Sequence, residues 1–222
     1  MLNLRYRHEH VDDDAFARPA EADTLRVRGS LAHRFSPRWT GFIEAEGVAE
    51  LNDRFNSTAN GQAAYPVVAD ARALEINQAW LDWAGERAAA RVGRQAIILD
   101  NARFIGNVAW RQNMQTFDAA QLKLKPTKAL ELQAIYLDRV HRVNGDEARD
   151  PLARERRLRA PLLRVSHAVP VGSLVGLLEL QQRTAHMAGS HLLAEATGDF
   201  NRGYIQHLLT PPVHTRLLTL TG

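Results

Sequence analysis

The chain has 222 residues, a formal charge of +3 from 28 Lys and Arg against 25 Asp and Glu, and no cysteine. Disulfide frameworks and thiolate metal sites are therefore excluded, and the nearly balanced charge, with no long basic run, argues against nucleic acid as a partner. No apolar stretch reaches the length of about eighteen residues that a transmembrane helix needs, which leaves transmembrane strands open.

The N-terminus, MLNLRYRHEH, carries no apolar h-region, so no signal peptide is expected. Its pattern has period two: Leu2, Leu4, Tyr6 and His8 alternate with Asn3, Arg5, Arg7 and Glu9. A polar link over 12–23 follows. Then Leu25, Val27, Gly29 and Leu31 alternate with Arg26, Arg28, Ser30 and Ala32, and beyond Ser36-Pro37 the residues Trp39, Gly41, Ile43 and Ala45 alternate with Thr40, Phe42, Glu44 and Glu46. Such alternation predicts strands with one apolar and one polar face. By itself it fits a soluble antiparallel sheet and a water-filled barrel equally.

A long connection over 50–73 leads to a strand over Ala73–Gly85, whose alternation slips near Ala79 and so suggests a bulge. Trp80 and Trp83 in this strand fit an interfacial aromatic girdle or a core equally. Glu86-Arg87 turns the chain into a strand over Ala88–Leu99. Further strands are predicted over Phe117–Lys125, from Leu130 to Leu137, from Leu163 to His167 and from Leu174 to Leu180. The arginine cluster Arg154–Arg159 (RERRLR) reads as a solvated loop or helix turn.

The connections alternate in length. Short turns fall at Ser36-Pro37, Gly85-Glu86, Pro126-Thr127 and Pro170–Gly172, and long links at 12–23, 50–73, 97–116 and 144–160. An up-and-down barrel of the outer membrane segregates its loops in this way, whereas a soluble meander has no reason to. The most unusual link lies within Gly93–Ala119: glycine-punctuated, amide-rich, with Arg103, Trp110 and Arg111. A loop of that length in a compact domain is functional or disordered, and its aromatic and β-branched content argues against disorder.

Past Gln181 the alternation weakens, four of the nine histidines lie scattered without ligand spacing, and the chain ends without an aromatic residue. Residues 2–180 are therefore expected to form the barrel region and 181–222 an atypical tail, with a frameshift or truncation near 176–185. Catalytic motifs are absent: no G-x-S-x-G, P-loop, G-x-G-x-x-G or H-E-x-x-H. His8 and His10 flank Glu9, but a strand sends the two imidazoles to one face and the carboxylate to the other, so no metal, cofactor or catalytic residue is expected.

The words LNDRFNSTANG (51–61), YPVVAD (65–70), EINQA (75–79), GRQAIILDNARFIGNVAWRQN (93–113) and QTFDA (115–119), in this order, resemble the alginate-export-like porins of Gram-negative bacteria. The resemblance spans residues 2–180. It implies an all-β, antiparallel up-and-down transmembrane β-barrel, of which this chain would be the N-terminal half to two-thirds of a whole with about eighteen strands. It implies outer-membrane localisation, lipid as a partner, and passive passage of anionic polysaccharide or small solutes; the oligomeric state stays open. Arg5, Arg7, Arg26 and Arg28 would line one wall of the solute pathway, with Glu44, Glu46 and Glu75 as counter-charges. Asp100, Arg103 and Arg111 would sit near the constriction. A soluble β-sheet module binding acidic ligands, or a non-functional truncated product, are the alternatives.

Overall fold

The computed structural model describes residues 1–100, 102, 105–169, 172–182, 188–198 and 214–217, with side chains described as far as residue 169 and at 175–177. The strands are β1 Leu2–Val11, β2 Ala20–Ser36, β3 Trp39–Glu50, β4 Ala73–Ala84, β5 Ala88–Gln95 and β6 Thr116–Leu124. They continue as β7 Leu130–His141, β8 Glu155–Val169, β9 Gly172–Gln182, β10 Ala188–Gly198 and β11 His214–Leu217. One helical turn, α1 Pro151–Arg154, precedes β8, capped by Asp150, whose carboxylate accepts from the Leu152 N–H at 2.9 Å. No helix among the described residues is long and apolar enough to cross a membrane, which says nothing of strands.

The sheet order is the chain order. The pairs β1–β2, β2–β3, β8–β9 and β9–β10 are antiparallel; β11 departs from the pattern by pairing parallel with β10. The chain divides into two compact units. The first holds residues 1–81, 93–118 and 139–157, and the second holds 82–92, 119–138 and 158–222.

In the first unit the register sorts side chains cleanly by face. Leu4 pairs with Val27 and Val27 with Gly47, while Leu31 pairs with Ile43. On the opposite face Asn3 pairs with Arg28 and Arg28 with Glu46. The apolar face is the exposed one: Leu2 is 69% and Leu74 77% exposed, against 1% for Glu46 and for Asn77. A soluble sheet buries leucine and solvates arginine and glutamate. Here the arrangement is inverted, and an extended apolar surface of this kind marks contact with another apolar phase.

The second unit is mixed: Leu122, Tyr136 and Leu163 are exposed, while Ile135, Leu137, Leu162 and Leu177 are buried, and so is Gln133, which donates to Gln121 Oε1 at 2.7 Å. Arg164 and Lys125 each lie 3.3 Å from a Glu131 oxygen.

Several expected boundaries move. β2 begins at Ala20, not Leu25, because Ala20 pairs with Val11 and both Ala20 and Ala22 are buried beneath Phe55 and Val68. Small alanines carry no alternation signal, so this end of the strand read as a link. β8 begins at Glu155: the Arg154–Arg159 cluster is mostly strand and not a loop or helix turn, with the Arg142 N–H donating to Arg154 O at 2.8 Å. β5 stops at Gln95 and not at Leu99, because the Ala96 N–H turns to the Gln78 side chain, at 3.1 Å.

Where the alternation of β4 slips, Asn77 Nδ2 and Gln78 Nε2 reach the same Glu44 oxygen, at 2.9 and 3.1 Å. Gly93, at φ +121°, passes the same place; a Cβ there would lie 2.3 Å from Ala79 O. Trp80 stacks on Phe42 with ring centroids 4.9 Å apart.

Candidate functional site

The buried polar face of β1–β3 is covered by two segments of the chain itself. The first, 51–72, sets Phe55 and Val68 on Ala20 and Ala22. It holds its shape through Asn60, whose Oδ1 accepts from the Ser57 and Gln62 N–H groups at 3.2 Å and whose Nδ2 donates to Phe55 O at 2.9 Å. These are the local side chain–backbone bonds by which asparagine organises turns.

The second, within 96–115, is fastened by arginines from β1 and β2. Arg5 donates to Ala109 O at 3.2 Å, to Arg111 O at 3.1 Å and to Trp110 O. Arg7 donates to Trp110 O at 2.6 Å and pairs with Glu9. Arg26 donates to Gln112 O at 3.2 Å and to Asn3 Oδ1 at 2.8 Å. Gln112, fully buried, returns its amide to Thr24 Oγ1 at 2.8 Å and Thr24 O at 3.1 Å. Guanidinium suits this task because its several donors leave in a planar fork that can hold consecutive carbonyls.

Arg111 stacks on the Trp110 ring at 4.1 Å to the centroid, and Arg7 lies 5.4 Å from the same ring. Arg111 also pairs with Glu9 at 3.2 Å. Asp70, buried at the end of the first segment, accepts from the Gln112 N–H at 2.8 Å and faces Arg7 Nε at 3.4 Å. The two segments therefore meet at one carboxylate.

Deeper in β2 and β3, Arg28 pairs with Glu46 and lies 3.6 Å from Glu44. Arg26 Nε stands 4.0 Å from Glu46. Glu75 lies half-buried on β4, and the buried side chain of Asn113 makes no hydrogen bond. The geometry thus brings Arg5, Arg7, Arg26, Arg28, Glu44, Glu46 and Arg111 into one network that does not include Glu75. Asp100 is exposed, at φ 52°, and Arg103 lies outside the described residues.

Sequence reasoning missed Asp70, Gln112 and a further group in the first unit. His141 Nε2 lies 2.9 Å from Asp118, and Arg94 lies 3.0 Å from the same carboxylate. Arg139 pairs with Glu155 at 2.5 Å. These residues come from distant stretches and share no spacing that a motif could register. His8 and His10 point to the exposed face, 2.9 Å from Asp23 and 2.7 Å from Glu21, while Glu9 turns to the arginines. Among the described residues no three His, Asp or Glu side chains are placed to hold a metal ion.

A family model described as alginate export matches residues 1–154. The chain belongs to the alginate-export family. A second model, described as a PBP superfamily domain, matches residues 155–220. Among solved structures, the chain is similar to a BenF-like porin from Pseudomonas fluorescens Pf-5, with a TM-score of 0.50 and 12% identity, covering 81% of this chain and 56% of the porin. It is also similar to OccAB4 of Acinetobacter baumannii, with a TM-score of 0.48 and 12% identity, covering 89% of this chain and 58% of that one. No curated protein matches. The chain thus spans less than two thirds of either solved structure. Family and porin likeness together give the fold class as the antiparallel up-and-down transmembrane β-barrel of porin-like outer-membrane channels.

Proposed function

We propose that this chain forms part of a passive outer-membrane channel for anionic polysaccharide or small anionic solutes. One observation carries the reading: in the first unit the strand face bearing Leu2, Leu4, Val27, Leu31 and Leu74 is exposed, while on the opposite face Arg26 is buried and Arg5, Arg7 and Arg28 are half-buried. Lipid satisfies the first face, and a wet interior the second. The 105–115 stretch, docked on the arginines, serves as the constriction, with Arg111 toward the solute and Asp100 near the narrowest point. Glu44, Glu46 and Glu75 are the counter-charges that keep the inward face from repelling itself. Residues 2–180 are read as one barrel region, supported by the β8–β9 pairing, and 181–222 as a separate tail.

Planar-bilayer recording tests this. The purified chain is expected to give discrete conductance steps with a reversal potential biased toward anions. A cation-biased reversal potential would sink the anion reading, and absence of conductance from both this chain and the full product of its gene would sink the channel reading.

A further inference from the structure

Asp70 Oδ1 accepts the Gln112 N–H at 2.8 Å, but Oδ2 has no hydrogen bond. It stands 3.4 Å from Arg7 Nε and 3.9 Å from Arg111 Nη1, close enough for charge attraction and too far or misaligned for a directed bond. The two guanidinia are also shared with Glu9. They border open space: the Trp110 ring that covers them is 57% exposed, although Arg7 and Arg111 are largely buried. A carboxylate entering beside Trp110 meets two cations held by a carboxylate that does not use its full bonding capacity.

We propose that Asp70 is an internal carboxylate competing with carboxylate-bearing solutes for Arg7 and Arg111. Displacing it also frees the Gln112 N–H, so solute capture and release of residues 110–112 are one exchange. The identity of the solute rests on the channel reading; the competition itself does not.

The test uses the full chain in detergent micelles, with Trp39, Trp80 and Trp83 replaced by Phe so that Trp110 alone reports. Sodium glucuronate is titrated against glucose and sodium chloride at matched ionic strength. The expected result is a saturable Trp110 fluorescence change with glucuronate alone, lost in Arg111→Gln. Asp70→Asn should lower the half-saturating concentration about fivefold. If Asp70→Asn does not fold, Glu9→Gln, which removes the other carboxylate from the same cations, should also lower it. A folded Asp70→Asn with unchanged or weaker response would overturn the proposal. So would an unchanged Glu9→Gln where Asp70→Asn does not fold, or an equal response to glucose or chloride. Glucuronate competition without conductance would leave the proposal standing and count against the channel, whereas conductance with a silent Trp110 would do the reverse.

Discussion

The Gln112 side chain donates to the Thr24 hydroxyl at 2.8 Å, across a sequence separation of 88 residues and in a fully buried setting. This bond pins the end of the 96–115 segment to the first third of β2, beside the carbonyl that Arg26 holds.

Replacing Gln112 by Ala leaves Thr24 without its amide partner and removes the donor to Arg5 O at 3.3 Å. Each unmet buried group costs about 1–3 kcal/mol. The segment should open more often, and trypsin should cleave after Arg111 about tenfold faster or more. Timed proteolysis of the folded chain checks this; an unchanged rate would show that the pin is not limiting.

Glu46 is buried against Arg28 and close to Arg26. Glu46→Leu leaves Arg28 with only Glu44, at 3.6 Å, and should destabilise by about 1–3 kcal/mol. Combining it with Arg28→Met should recover most of that loss, because a buried ion pair replaced by apolar groups is often near neutral. Urea unfolding in detergent reads both variants.

Gly93→Ala places a methyl group 2.3 Å from Ala79 O at a φ of +121°. The atoms it would meet, Ala79 O and Trp80 Cα, are backbone and cannot swing aside. The variant should lose at least about 1–3 kcal/mol, seen as a lower urea midpoint. Gly29→Ala, where nothing lies within 4 Å, serves as the tolerant control.

Val27 sits on the apolar face, paired with Leu4 and Gly47. Val27→Arg should cost about 2–4 kcal/mol for insertion near a bilayer midplane. In a soluble sheet the same change at a 41%-exposed position would be harmless or would improve solubility. Folding yield into liposomes, measured against yield in buffer, separates the two outcomes.

Much of this architecture was legible in the residues. Alternation located β1 and β3 almost to the residue. The alternation could not say which face is buried, because a soluble sheet and a barrel share it; accessibility supplied the answer. Ala20–Asp23 escaped because two alanines carry little hydropathy contrast. The arginines were identified as one wall, yet their partners were not: Arg5 binds carbonyls, and a carbonyl has no sequence signature. Asp70 is a single aspartate in a loop, given meaning only by Arg7, Arg111 and Gln112 arriving from elsewhere.

β2 is 17 residues long. At a rise of about 3.3 Å per residue and a tilt of about 40°, it climbs about 43 Å, against an apolar belt of about 25 Å. Its first residues must then stand clear of the belt, where Glu21 and Asp23 meet His10 and His8. Ala20 and Ala22, under Phe55 and Val68, form at that level a small oil drop of the kind that water drives together. One continuous strand is thus stabilised by lipid along part of its length and by the ordinary aversion of hydrocarbon to water along the rest. Extraction from the bilayer should strip away the first support and leave the second intact.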